Sequence, residues 1–213
     1  IKKIHQYPLF EKKEQHIIHA AQKFIKKELN IDVESDPMIE LDNNLIENAK
    51  NKFKFNDNQI NILLGIGGSG PTKRVPAEKF LKFMELAIKT YNCKFFLATG
   101  TKNDEQIILN KILNSNYKNQ CVSIDKLKLK DTLPIIKNCN IAICNDSSFS
   151  HLSAALNIPT IVLMTDTPLL YGSYSPRMHP IIPDGETTVK HNTYGKEKIN
   201  SEKIFNKFKN LLN

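Results

Sequence analysis

No apolar stretch in the chain approaches the roughly 20 residues that a membrane-spanning helix requires. Ile161-Val162-Leu163-Met164 is typical of the longest uninterrupted runs, so a soluble chain is expected. Cysteine is scarce: Cys93, Cys121, Cys139 and Cys144 stand singly in or beside apolar runs, with none of the paired spacings of zinc or redox motifs. Reduced core thiols in a reducing cytoplasm are the expectation. The 8 glycines and 10 prolines are scattered, while apolar residues make up 40% and charged residues 24%, which excludes collagen-like repeats, low complexity and disorder. No apolar leader-like segment follows Ile1, so no secretory signal is expected within these residues. A first residue other than Met leads to the expectation of a fragment.

The composition is that of a lysine-rich globular protein. Its 213 residues allow one large domain or a domain with an appendage, and the net charge is +8. Residues 1–54 carry 10 Lys and 9 acids, whereas residues 55–213 carry 20 Lys or Arg against 13 acids. A positive excess of that kind suits nucleic acid, an anionic membrane surface or a phosphorylated small molecule. The lysines are dispersed rather than clustered with aromatics, so most of them read as a solvated surface and nucleic acid is not the expected partner. Only Arg74 and Arg177 are arginines, and both fall between expected elements.

Apolar residues from Ile17 to Leu29 recur at helical spacing, so Glu11–Leu29 is expected to form an amphipathic helix, and 43–53 a second short one. His16 and His19 lie three apart on the first, without carboxylate or thiol partners, and read as surface histidines rather than a metal pair. From about residue 58 the pattern becomes strand, loop, helix, repeated. Strands are expected at Ile60–Ile66, Lys94–Ala98, Gln120–Ile124, Ile141–Cys144 and Pro159–Met164, with helices at 76–91, 103–115, 130–138 and 148–157. Short apolar strands alternating with helices predict an α/β fold, a doubly wound parallel sheet of Rossmann-like type with extra N-terminal helices. A closing helix from Ser201 to Leu212 is expected, with Ser201 at its N-cap. The expected division is 1–57, a helical segment, and 58–213, the domain proper.

Ligands of open α/β sheets bind beyond the carboxyl ends of the strands, so the loops there hold the candidate residues. The first, Gly65-Ile66-Gly67-Gly68-Ser69-Gly70-Pro71-Thr72-Lys73-Arg74-Val75-Pro76, holds half of the chain's glycines. Glycines let backbone N–H groups approach an anion, and Lys73 and Arg74 supply positive charge. Its spacing fits neither a P-loop nor the dinucleotide fingerprint, and a plain surface loop stays open as the other reading. The second, Asn145-Asp146-Ser147-Ser148-Phe149-Ser150-His151, runs from a strand into a helix whose N-terminal amides can hold a phosphate. It lacks the elbow of a hydrolase triad, and a purely structural role for Asp146 and His151 stays open beside anion binding. The third, Thr165–Pro176, offers hydroxyls and two tyrosines that could surround a sugar or base.

Together these loops resemble glycosyltransferase family 9, the heptosyltransferases of the bacterial lipopolysaccharide inner core, over roughly residues 58–176. The likeness rests on Lys73-Arg74-Val75-Pro76 against Lys-Arg-Trp-Pro, on Leu97-Ala98-Thr99-Gly100 before an acidic turn, and above all on Asn145–Thr160 against Asn-Asp-Ser-Gly-x-x-His-x-Ala-Ala-Ala-x-Gly-x-Pro-Thr. Val75, Ser148 and Asn157 depart from that pattern. The resemblance implies the carboxyl-terminal, donor-binding half of a two-domain GT-B enzyme, with the acceptor site and the catalytic base in a domain ahead of Ile1. It implies an inverting transfer without metal or cofactor, from a nucleotide-sugar donor such as ADP-heptose to a lipid-linked saccharide acceptor, at the inner face of the inner membrane with at most peripheral attachment. By carry-over Lys73 and Ser69 would contact the donor diphosphate, Asp146, Ser147, Ser148 and His151 would enclose it, and Glu105, with Asp104 as second choice, would hold the ribose. A nucleotide-sugar epimerase of the same architecture and a non-catalytic phospholigand-binding module are the rival readings.

Overall fold

The computed structural model describes residues 16–33 and 36–212, and they divide into two compact units between Pro37 and Met38. In the first unit, α1 spans Ile17–Leu29. His16 is its N-cap, with Nδ1 accepting from the backbone N–H of Ile18 at 3.2 Å. Asn30 ends it at φ 55°, a left-handed position that asparagine tolerates, and returns its N–H to the carbonyl of Lys26. His19 Nδ1 lies 3.2 Å from Gln22 Oε1. The expected helical stretch Glu11–Gln15 lies outside the described residues.

The second unit opens with α2 (Asn43–Lys52). It then alternates as β1 (Ile60–Gly65), α3 (Ala77–Thr90), β2 (Cys93–Ala98), α4 (Asn103–Leu113), β3 (Cys121–Ser123), α5 (Leu129–Lys137), β4 (Ile141–Asn145), α6 (Ser148–Ala155), β5 (Thr160–Leu163), β6 (Met178–Ile181) and α7 (Ser201–Leu212). The six strands form one parallel sheet in the order β3-β2-β1-β4-β5-β6. The chain winds outward one way from β1 and then returns to lay β4 on its other side, so the strand order reverses between β1 and β4. That doubly wound order leaves a crevice beyond the carboxyl ends of these two strands.

Strand periodicity sorts the core into two layers. Ile62, Leu64, Phe95, Leu97, Ile141, Ile143, Ile161 and Leu163 face one side, where Phe80, Phe83 and Met84 of α3, Ile112 of α4 and Phe208 of α7 cover them. Leu63, Phe96, Ala98, Ala142 and Cys144 face the other, against Ala49 of α2 and Ile135 and Ile136 of α5. Burial on both faces explains why the strands are continuously apolar rather than alternating. The Phe55 ring stacks on Phe96 with centroids 4.6 Å apart, and Asn138 Nδ2 donates to the carbonyl of Ile46 at 2.9 Å. These contacts bind α2 and its exit to the sheet, so the compact unit begins ahead of the expected start at 58.

Three local expectations change. β6, Met-His-Pro-Ile, was not expected, because four residues with an internal proline carry no strand signature. It pairs only with β5 at the sheet edge, where a proline is tolerated. Asn200 rather than Ser201 caps α7: its Oδ1 accepts from the N–H groups of Glu202 at 2.9 Å and Lys203 at 3.3 Å, while Ser201 Oγ donates to the carbonyl of Lys79. Pro76 stands just outside α3 as its N-cap.

Candidate nucleotide site at the β1 and β4 switch point

The β1–α3 loop is shaped from inside by three side chains. Asn145, fully buried at the end of β4, donates from Nδ2 to the carbonyls of Ile66 at 2.9 Å and Gly67 at 3.1 Å, and its Oδ1 accepts from the N–H of Val75 at 3.3 Å. One carboxamide thereby fastens both ends of the loop to the neighbouring strand. Arg74, read from sequence as a charge for the ligand, is 6% exposed and points inward, donating to the carbonyl of Gly68 at 2.8 Å and pairing with Asp104. Its guanidinium braces the loop. Glu105, 7% exposed, accepts from the N–H of Gly68 at 3.0 Å and of Gly100 at 3.3 Å, tying the β1 loop to the β2 loop.

A Cβ at Gly67 would fall 2.6 Å from Glu105 Oε1 and 2.7 Å from Thr99 Oγ1, so this position has room for glycine alone. The close approach of the two loops leaves a cavity of about 500 Å³ across the carboxyl ends of β3, β2, β1 and β4. Toward β1 and β4 its walls are polar: Gly67, Gly68, Ser69, Ser147 and Ser148. Beyond β3 they are largely apolar, with Ile124, Leu127 and Leu129, and Phe149 contributes from α6. Such a volume, graded from backbone amides to aliphatic side chains, can take a ligand with one anionic end and one apolar end.

Ser147 occupies the N-cap of α6 but makes no side-chain cap bond, and its buried Oγ has no hydrogen-bond partner among the described residues. A buried hydroxyl beside a helix N-terminus, left unsatisfied by the protein, suits an incoming anion oxygen. Of the residues singled out in the sequence, Ser69, Glu105, Ser147 and Ser148 line this cavity. Lys73, Asp146 and His151 form a second group beside it. Lys73 Nζ pairs with Asp146 Oδ2 at 2.8 Å, Thr167 Oγ1 donates to the same oxygen, and His151 Nε2 stands 3.9 Å from Asp146 Oδ1. Asp146 is 5% exposed, so its carboxylate holds Lys73 rather than meeting solvent. Burial lowers the pKa of His151, opposed by the Asp146 charge and assisted by Lys73; the imidazole is neutral at pH 7.

Some residues of the site were not singled out from the sequence. Thr167 and Tyr174, from the third loop, reach Asp146 and His151. Gln106 Nε2 donates to the carbonyl of Gly100 at 2.8 Å and to Asp125 Oδ2 at 3.1 Å, fixing the acid that follows β3 in the cavity wall. The available signal for Asp125 was its place just after a strand, which it shares with Asp146. Asp166, after β5, accepts from the N–H of Tyr194 at 2.9 Å and has its pKa lowered; burial opposes the shift, and hydrogen bonds from Tyr194, Thr72, Thr193 and Asn192 prevail. Thr165 Oγ1 adds a bond to the carbonyl of Thr72 at 2.8 Å. These contacts hold the β5 exit against the glycine loop. Among the described residues no group of three or more His, Cys, Asp and Glu could hold a metal ion, and no helix among them is long and apolar enough to cross a membrane.

Comparison with known proteins agrees with this fold. Lipopolysaccharide heptosyltransferase 1 of Campylobacter coli is 27% identical over 160 residues, covering 73% of this chain and 47% of the relative. The chain thus spans about half the length of that relative. Among solved structures, the glycosyl transferase family 9 protein of Veillonella parvula superposes with a TM-score of 0.75 at 20% identity, over 94% of this chain and 60% of the other. E. coli heptosyltransferase WaaC with ADP superposes at 0.68 and 15% identity, over 94% and 58%. Both share the Rossmann-like fold. The sequence model of glycosyltransferase family 9 (heptosyltransferase) matches residues 5–208, and the chain belongs to that family.

Proposed function

We propose that the switch-point crevice holds the nucleoside diphosphate of a nucleotide-sugar donor, and that the chain is the donor-binding part of an inverting glycosyltransferase. The donor is ADP-heptose and the acceptor a lipid-linked saccharide of the lipopolysaccharide core, met in the cytoplasm at the inner membrane face. The single observation that carries the reading is the convergence of the glycine loop and the α6 N-terminus, with its buried Ser147 hydroxyl, on one cavity at the β1 and β4 switch point, with Lys73 held beside it by Asp146. Family membership and the heptosyltransferase relatives support the reaction class.

The mechanism follows from where charge develops. As the bond from the anomeric carbon to the β-phosphate oxygen breaks, negative charge grows on the departing diphosphate. Amides of Gly67 and Ser69, the N-terminus of α6 with Ser147 and Ser148, and Lys73 are groups that hold a diphosphate there. Donors already fixed in place stabilise the growing charge more than the ground state, with little reorganisation. Asp146 and Thr167 orient Lys73. His151 adds a neutral donor at the same edge, and Glu105, held between two glycine amides, shapes the ribose end of the cavity. The acceptor hydroxyl and the base that takes its proton belong to the rest of the enzyme.

Calorimetric titration of the 213-residue chain with ADP, UDP and GDP tests the reading. ADP binding that is lost on Lys73→Ala supports it, whereas absence of heat with all three contradicts it. In the complete enzyme, Lys73→Ala should lower turnover by roughly 10²–10³-fold, the scale for one preorganised charge stabiliser. Product analysis with ADP-heptose separates transfer from epimerisation.

A further inference from the structure

The third loop brings a phenol onto the His151 ring. Tyr174 precedes β6, and its OH lies 2.8 Å from Nδ1 of His151. The two rings also stack, with centroids 5.6 Å apart and planes inclined by 16°. On its other side the imidazole faces Asp146, with Nε2 3.9 Å from Oδ1. The second oxygen of that carboxylate is already engaged by Lys73 and Thr167. We propose that Tyr174 is a positioning residue that fixes the tautomer of His151, leaving Nε2–H as a donor for an oxygen of the donor diphosphate. This rests on the nucleotide reading of the crevice.

A neutral imidazole has one N–H and one lone pair, and the nitrogen that keeps the proton is set by the partner of the other. Both neighbours of His151 favour the same arrangement. A lone pair on Nε2 facing the Asp146 carboxylate would be repelled, whereas a proton there is attracted. Nδ1 must then accept, and the phenol O–H of Tyr174 is the donor in reach. The 3.9 Å gap exceeds hydrogen-bonding distance, so the carboxylate biases the Nε2 proton without capturing it. An anionic oxygen at the switch point can therefore receive it. Among the described residues, the charged and titratable groups about the ring are Asp146 from the end of β4, Lys73 from the β1–α3 loop and Tyr174 itself.

Nitrogen-15 spectra of the imidazole, read with calorimetric ADP titration of the full chain, test this. Wild-type protein should show His151 with Nε2 protonated and Nδ1 bare. Tyr174→Phe retains the stacked ring but removes the hydroxyl; it should populate the Nδ1–H tautomer and weaken ADP binding by about ten-fold, the scale of one hydrogen bond to a charged acceptor. Added to His151→Ala, the same substitution should have no further effect. A protonated Nδ1 in the wild type, or unchanged ADP affinity in Tyr174→Phe, overturns the proposal. If wild-type protein binds no ADP, the nucleotide reading fails, while a bare Nδ1 that becomes protonated in Tyr174→Phe would still establish Tyr174 as the residue fixing the tautomer. The thermal midpoint of each variant identifies loss of fold, and the wild-type spectrum depends on no variant.

Discussion

Replacing Lys73 by Met keeps most of the aliphatic stem and removes the charge, isolating the electrostatic part of its role. The carboxylate left behind belongs to Asp146, which is 5% exposed, while the Lys73 side chain is 26% exposed. Removing one partner of a fully buried pair costs about 3–5 kcal/mol, and an exposed pair contributes about 0–1. With Lys73 a quarter in solvent and Thr167 still donating to Asp146, the intermediate figure is about 2 kcal/mol. For a chain of 213 residues that lowers the thermal midpoint by about 5 °C. Adding Asp146→Asn removes the stranded charge and should restore about half of the loss, although ADP binding stays weak because the cation is gone. Differential scanning calorimetry of the wild type, both single variants and the double variant closes the cycle. A midpoint for Lys73→Met within about 1 °C of wild type, or a double variant no more stable than Lys73→Met, would refute the account of Asp146 as a buried anchor for Lys73.

Gly67→Ala places a methyl 2.6 Å from Glu105 Oε1 and 3.1 Å from Thr99 Cα; displacement of the loop should cost about 1–3 kcal/mol and weaken ADP binding, measured by denaturant unfolding and calorimetry. The pKa values of His151 and His179 both lie below the ordinary 6.5, chiefly through burial. The unfolded chain therefore binds more protons below pH 6.5, so stability is full above that pH and declines as the pH falls toward the folded-state values. Unfolding curves from pH 7.5 to 5 should show that slope, and His151→Asn with His179→Asn should flatten it. Burial pushes the thiols of Cys93 and Cys144 up to about 12; neither should react with a thiol reagent at pH 8 until the protein unfolds, and rapid labelling of either in native protein would contradict the packing.

The alternation of short apolar runs with helical stretches exposed five of the six strands, because strands buried on both faces must be apolar throughout. The same logic missed β6. Its residues gain their place by pairing with one neighbour at an edge, and Pro180 hides the signature. The glycine loop and Asn145–His151 were legible because close backbone approach and helix N-termini demand particular residue types. The roles within them were less so. Arg74 and Lys73 are adjacent and alike in charge, yet one is turned inward onto Gly68 and Asp104 while the other faces Asp146. That choice depends on loop geometry rather than residue type. Thr167 and Tyr174 act on Asp146 and His151 from about twenty residues away, a separation at which sequence spacing carries no distance information.

A nucleoside diphosphate lying across the carboxyl ends of β1 and β4 would touch several loops at once, and backbone amide shifts followed during ADP titration read those contacts residue by residue. Gly67, Gly68, Ser69, Gly100, Thr101, Ser147, Ser148 and Phe149 should shift together with one saturation curve, because all line one cavity. Shifts confined to the groove between Lys79, Asp184 and Glu202, or scattered over surface lysines without saturation, would contradict it.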